Sequence, residues 1–200
     1  VGFSNRTQIG ALTFSPDGRR LAAAPFLGPR EEKVVRVWDV ESGRSSVFGP
    51  FPGAGEGYEG GLWQLWFLPG DRLLAVVVVV TPDAKNSFYA VPLVNLRDGG
   101  IRLLPPPRGA VRPGGWPHPG LLSRDGTSVL GYDGNETVSR IVRFPLEGGV
   151  VSPLTSHGTD VTNAALDPTE KTLATVSLDG TIRVGPLSGD EVRAIAEAVI

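Results

Sequence analysis

Internal self-similarity constrains this chain more than any single motif, because a period of about 40 to 50 residues decides the whole architecture. Four registers superpose. A turn reads Ser15-Pro16-Asp17-Gly18, then Leu68-Pro69-Gly70-Asp71, Ser123-Arg124-Asp125-Gly126 and Asp167-Pro168-Thr169-Glu170, with steps of 53, 55 and 44 residues between their last members. One apolar column (Phe14, Phe67, Leu122, Leu166) falls four positions before the end of each turn, and another (Leu21, Leu74, Val129, Leu173) falls three positions after it. Farther on come Val35, Val91, Ile141 and Ile182, and five residues later Val40, Leu96, Leu146 and Leu187, each meeting a second turn-forming cluster.

Short apolar runs divided by Gly, Pro, Asp and Ser are what hairpin-connected antiparallel strands need, since those residues supply the turn geometries that strands cannot. Fourth strands are expected at 46–48, 101–104 and 150–154, which makes each repeat a four-stranded meander in an all-β chain. The repeats are expected near 7–50, 61–105, 116–155 and 160–200. A single meander has two apolar faces and buries neither alone, so neighbouring meanders must stack radially. The run Val76 to Val80, without polar alternation, then reads as a central strand covered on both faces. The segment Glu191 to Ile200 is two-sided. Val192, Ile195 and Val199 have helical spacing, whereas repeat logic places a strand there, and the strand is the expectation.

The 27 glycines and 18 prolines sit between the apolar runs and so read as turns, not disorder. Hydrophobic content of 40% and a net charge of −2 describe a soluble globular chain. With no cysteine, disulfides, Cys-ligated metals and thiol chemistry are excluded. The 19 basic residues are scattered, with no stripe to neutralise a row of phosphates or hold an anionic membrane, so no nucleic-acid or membrane partner is expected. The longest apolar stretch, Leu73 to Val80, is far shorter than the roughly 20 residues of a spanning helix. A chain with no Met that opens on Val1 reads as a piece of a longer protein.

The stretch Ile9 to Gly43, through Ala11-Leu12-Thr13-Phe14-Ser15-Pro16-Asp17-Gly18 and Val35-Arg36-Val37-Trp38-Asp39, resembles a WD40 repeat. The fourth repeat does so too, through His157-Gly158 and Ser177-Leu178-Asp179-Gly180-Thr181-Ile182-Arg183-Val184, while the second and third agree in pattern only. The resemblance implies a β-propeller whose blades are these meanders. It also implies a structural hydrogen-bond network of a His before the first strand, a Ser or Thr on the second, an Asp in the next turn and a Trp on the third. His157, Ser177 and Asp179 would fill three places in the last repeat, with Gly185 where the Trp is expected. In the first repeat Trp38, followed by Asp39, has no matching His. Such propellers commonly close as rings of seven blades, so four blades imply either more blades elsewhere or association of copies. The resemblance further points to a cytoplasmic bacterial propeller attached to a signalling protein such as a serine/threonine kinase.

Other motifs have plainer readings. Gly55-Glu56-Gly57-Tyr58-Glu59-Gly60 has the spacing of a dinucleotide fingerprint, but the apolar run Trp63 to Leu68 follows it, a strand where that chemistry needs a helix N-terminus; it reads as an inter-blade loop. Arg102 to Arg108, with three successive prolines, reads as a stiff connector more than as a polyproline ligand. Asn5-Arg6-Thr7 and Asn135-Glu136-Thr137 fit a glycosylation acceptor, which matters only in a secreted protein.

For catalysis, His118 and His157 are the only histidines, no G-x-S-x-G elbow exists, and Asp17, Asp125, Asp133 and Asp179 stand beside Gly, where they read as turn residues. No enzyme, cofactor or metal is expected. The favoured function is protein–protein recognition, and the alternative is a propeller enzyme or small-ligand sensor. A deep pocket lined by two or more carboxylates or both histidines would favour the alternative. Interface anchors are sought among aromatic and Arg side chains in or beside the longer connections: Arg30, Tyr58, Trp63, Trp116, His118 and Tyr132.

Overall fold

The structure is a computed structural model that describes residues 8–27, 34–51, 62–80, 87–105, 108, 118–135, 138–157, 159–187 and 197–199. These form seventeen strands, and no helix occurs among the described residues. The chain divides into two compact units, Val1–Leu104 and Pro105–Ile200.

In the first unit, β1 (Gln8–Phe14), β2 (Arg20–Leu27), β3 (Val35–Asp39) and β4 (Ser45–Phe48) pair antiparallel in chain order. The second sheet runs β5 (Leu62–Leu68), β6 (Arg72–Val80), then a third strand in two pieces, β7 (Ser87–Ala90) and β8 (Pro92–Asn95), then β9 (Ile101–Leu103). Both pieces pair with β6 in one continuous register, Val77 with Ala90 and Leu74 with Leu93. The break falls next to Pro92, which has no N–H to give the ladder. In the second unit β10 (His118–Leu122), β11 (Ser128–Asn135), β12 (Val138–Pro145) and β13 (Ser152–His157) form one sheet, and β14 (Val161–Leu166), β15 (Thr172–Ser177), β16 (Thr181–Pro186) and β17 (Glu197–Val199) the other. The fold is thus all-β, with four antiparallel four-stranded blades of the propeller type, and Glu197–Val199 is strand, paired with Thr181–Arg183.

The four blades share one register. Phe14 faces Leu21, Phe67 faces Leu73, Leu122 faces Val129 and Leu166 faces Leu173. The apolar column therefore passes through Leu73 and not Leu74, because the second blade's first turn is one residue shorter: Leu68 pairs with Arg72, and Leu74 pairs with Trp66. Past the third strand one backbone bond recurs in all four blades. Val40, Leu96, Leu146 and Leu187 donate from N to the carbonyls of Arg19, Asp71, Thr127 and Lys171 at 2.8, 2.8, 2.9 and 2.8 Å. The first strands also carry a bulge, at Gly10, Trp63, Gly120 and Thr162. Such an extra residue bends the strand and re-aims its side chain.

Each unit has its own core. In the first, Ala11, Ala22, Ala24, Val35, Val37 and Phe48 of blade 1 pack with Leu62, Leu65, Leu73 and Val94 of blade 2. In the second, Leu130, Ile141 and Leu154 of blade 3 pack with Val161, Leu173 and Leu187 in and beside blade 4, with Tyr132 against them. Burying one such Leu or Val contributes about 1.5–3 kcal/mol, which is how small sheets stay folded without disulfides.

Candidate functional site

Among the described residues the tight turns engage most of the aspartates. Ser15 Oγ donates to Asp17 Oδ1 (2.6 Å) and accepts from Arg20 N (2.9 Å), while Asp17 Oδ1 accepts from Arg19 N (3.0 Å). Ser123 and Asp125 repeat the arrangement, with Ser123 Oγ donating to Asp125 Oδ1 at 2.6 Å and Thr127 N donating to it at 3.0 Å. In the fourth blade Asp167 stands where the serines stand. It accepts from Thr169 Oγ1 (2.5 Å), Lys171 N (2.8 Å) and Thr172 N (2.6 Å), and these bonds, the Thr169 hydroxyl first, hold its pKa down to about 2. Hydrogen bonds to the charged form, led by Ser15 and Ser123, likewise lower Asp17 and Asp125 below the usual carboxylate range. Glu170 (φ +57°) occupies the left-handed turn position that Gly18 (+71°), Gly70 (+77°) and Gly126 (+67°) hold elsewhere. The strain of a side chain there is offset by a bond to the neighbouring blade, since Glu170 Oε1 accepts from Arg124 N at 2.7 Å. Arg124 also reaches the Pro168 carbonyl with its guanidinium. In the first unit Asp71 bridges blades in the same way, 3.0 Å from Arg20 Nη1 and 2.9 Å from Arg97 Nε.

The His157 side chain is fully buried at the end of β13 and reaches into the next blade. Its Nε2 lies 2.8 Å from Thr175 Oγ1 and its Nδ1 3.1 Å from Thr181 Oγ1. Thr181 spends its hydroxyl proton on Asp179 Oδ1 (2.6 Å), so it accepts from His157. A neutral ring therefore carries its proton on Nδ1 and accepts from Thr175 at Nε2. Burial, then the nearby Arg183 charge, push the His157 pKa below its ordinary value, against a smaller pull from Asp179. Asp179 Oδ2 itself is 3.9 Å from Nδ1, beyond hydrogen-bond reach. Ser177 does not meet the ring either: its Oγ pairs with Thr159 Oγ1 at 2.8 Å and accepts from Asp179 N at 3.3 Å. Thr175 and Thr181 are the members that sequence reasoning missed.

Trp38 lies half-buried on β3, facing Leu21 and Ser45, with the Arg36 guanidinium 6.0 Å from its ring centroid. Asp39 closes that strand and accepts from Ser42 N (2.7 Å) and Ser42 Oγ (2.5 Å), which lowers its pKa. Asp133 is not a turn residue. It sits within β11, 2% exposed, paired with Arg140 across the sheet at 2.7 Å. Of the recognition nominees, Arg30, Tyr58 and Trp116 lie outside the described residues, as does the Gly55–Gly60 motif. Trp63 is the bulge residue of β5, and His118 opens β10 opposite Tyr132. Tyr132 is half-buried within β11 against the second unit's core, and burial raises its pKa.

A cleft of about 410 Å³ in the second unit is lined by Ser123, Asp125, Arg143, Glu147 and Glu170 among others. Three carboxylates thus meet there, but Asp125 is engaged by Ser123 and Thr127, and Glu170 by Arg124. Among the described residues no group of three or more His, Asp or Glu side chains is placed to hold a metal ion. No helix among them is long and apolar enough to cross a membrane.

Comparison with known families and structures agrees with this geometry. The family model "WD domain, G-beta repeat" matches residues 3–39, in the first repeat, and 148–184, from the end of the third repeat into the fourth. No curated protein matches the chain. Among solved structures, a chain from "Crystal structure of Nidogen/Laminin Complex" is similar in fold, with a TM-score of 0.60 at 11% identity, over 93% of this chain and 64% of that one. This chain therefore spans less than two thirds of the length of the structure it resembles.

Proposed function

We propose that this chain, which belongs to the WD40-repeat propeller family, is a non-catalytic scaffold that binds protein partners through the connections between its strands. The observation that carries this reading is how the chemically capable side chains are used. His157 is hydrogen-bonded on both ring nitrogens, and Asp17, Asp39, Asp125, Asp167 and Asp179 accept bonds inside their own turns. Acids and bases held this way are poor proton carriers, whereas rigid turns hold neighbouring loops in place for recognition. The similar solved structure is titled as a complex of two proteins, which supports the same reading.

The finer reading is a cytoplasmic bacterial propeller joined to a signalling protein such as a serine/threonine kinase, with blades near 7–50, 61–105, 116–155 and 160–200. Arg30, Tyr58, Trp63, Trp116, His118 and Tyr132 remain the nominated contact residues. Affinity capture from host lysate with Tyr58→Ala and Trp116→Ala tests it. Loss of a captured partner at unchanged melting temperature supports the nomination, and undiminished capture by both variants refutes it. A small-ligand sensor is the second reading, favoured by the three carboxylates of the 410 Å³ cleft. A thermal shift with small cationic ligands that disappears in Glu147→Gln would favour it.

A further inference from the structure

The cleft of the second unit holds two polar side chains that the blades themselves leave unmatched. Ser128 is 8% exposed; its N–H and its carbonyl are taken by Ser123, while its hydroxyl has no hydrogen-bond partner among the described residues. Arg143 is half-buried, and its Nε is buried with no partner there either. Ser128 faces Pro145 and Leu130 faces Arg143, so the hydroxyl and the guanidinium are diagonal neighbours on one face of blade 3, and both line the cleft. A buried donor without an acceptor weakens a fold. Two of them on one cleft wall suit an acceptor that carries negative charge.

Acceptors of the opposite kind line the same cleft. Asp125 accepts all three of its bonds at Oδ1, and Glu170 accepts from Arg124 at Oε1, so Asp125 Oδ2 and Glu170 Oε2 keep their lone pairs for a further donor. Glu147 stands beside them. Bonds from Ser123 and Thr127, and after them the nearby charge of Arg143, hold the Asp125 carboxyl below the usual carboxylate range, so it is ionised at neutral pH. Three carboxylates against one guanidinium repel a phosphate or a dicarboxylate. They match a molecule that joins one anionic group to more than one cationic group.

We infer that this cleft binds a free basic α-amino acid of the lysine or arginine type, with its carboxylate on Arg143 and Ser128 and its two cationic groups among Asp125, Glu147 and Glu170. Such a site rests on the small-ligand reading of the cleft and gives that ligand a chemical class. Its volume of about 410 Å³ lies in the lower part of the range of roughly 300–1,000 Å³ that small-molecule sites occupy. A lysine within a partner chain brings the cation without the carboxylate, and so leaves Arg143 and Ser128 unmatched.

Isothermal titration calorimetry of the full 200-residue chain compares L-lysine with cadaverine, which keeps both ammonium groups and lacks only the carboxylate. L-Lysine should bind at least ~10-fold more tightly, as charge-assisted hydrogen bonds to a carboxylate allow. Arg143→Gln should bring lysine down to the level of cadaverine. Ser128→Ala, which leaves the backbone bonds to Ser123 in place, should weaken lysine about 3- to 10-fold and leave cadaverine unchanged. If Arg143→Gln does not fold, as circular dichroism would show, the Ser128→Ala comparison decides alone. Cadaverine binding as tightly as lysine overturns the inference and leaves a cleft that takes small cations. No binding of either ligand overturns it together with the small-ligand reading. Lysine binding that neither variant changes lies elsewhere on the chain, and that too refutes the assignment.

Discussion

In blade 1 the third residue counted from Leu21 is Ala23, buried beside its cross-strand partner Arg36; in blade 4 the same position is Thr175, opposite Arg183, and its hydroxyl meets His157. The third strand differs in the reverse sense, since blade 1 carries Trp38 where blade 4 carries Gly185. One blade fills this region with an indole under a guanidinium, the other with a buried imidazole and two hydroxyls. Both hold the same backbone register and the same bond after the third strand, from Val40 or Leu187 to the carbonyl beside the first turn. Blade geometry is thus carried by turns and apolar columns, and the polar network is a local means of joining blade 4 to the strand before it.

The largest expected effect is at His157. Replacing it with Ala leaves Thr175, 2% exposed, without its acceptor and opens a cavity, so urea unfolding should show a loss of about 3 kcal/mol. Trp38→Ala, at a half-buried site, should cost about 1–2 kcal/mol. Equal losses would remove the contrast between the two blades. Next, Thr175→Val keeps the shape but takes the donor from Nε2, and should cost about 1–2 kcal/mol. Nitrogen NMR of the wild type should find the His157 proton on Nδ1, and a proton on Nε2 would contradict the assigned bond directions.

The pH response follows from the same site. His157 is lowered from 6.5, so below that value the unfolded chain takes up a proton that the folded one resists. Its contribution is complete above pH 6.5 and is lost as pH falls toward the folded pKa, with a slope of at most about 1.4 kcal/mol per pH unit. His157→Gln should flatten that part of the stability curve, and an unchanged curve would exclude the ring as its source. The smallest effect is at Asp167. Its carboxyl should titrate near 2 by carbon NMR, and Thr169→Val should move it back toward 3.8 without unfolding the blade.

Much of the architecture was legible because turn chemistry is local. Ser15-x-Asp17-Gly18 states its hydrogen bonds in the sequence, and the columns through Val35 and Val40 keep register in every blade. The shorter turn at Pro69 hid the shift from Leu74 to Leu73, since counting from the turn assumes equal lengths. Thr175 and Ser177 are two apart on one strand and so point to the same face, and no motif decides which hydroxyl reaches the ring. Asp133 beside Gly134 read as a turn because its partner, Arg140, is visible only once β11 and β12 are paired. Tyr132 looked like a loop residue for want of the same pairing.

The outermost strands also bear on how such a chain stays dispersed. An unpaired strand edge is a template for foreign strands, and short edges are a common defence. β4, β9 and β17 have 4, 3 and 3 residues, but β13 has six. That longer margin carries Pro153, and just ahead of it Arg108 lies parallel to Val150, donating to the Gly149 carbonyl and accepting from Val151 N. Arg108 thus occupies backbone groups immediately ahead of β13, so a foreign strand meets fewer free partners at the start of that margin.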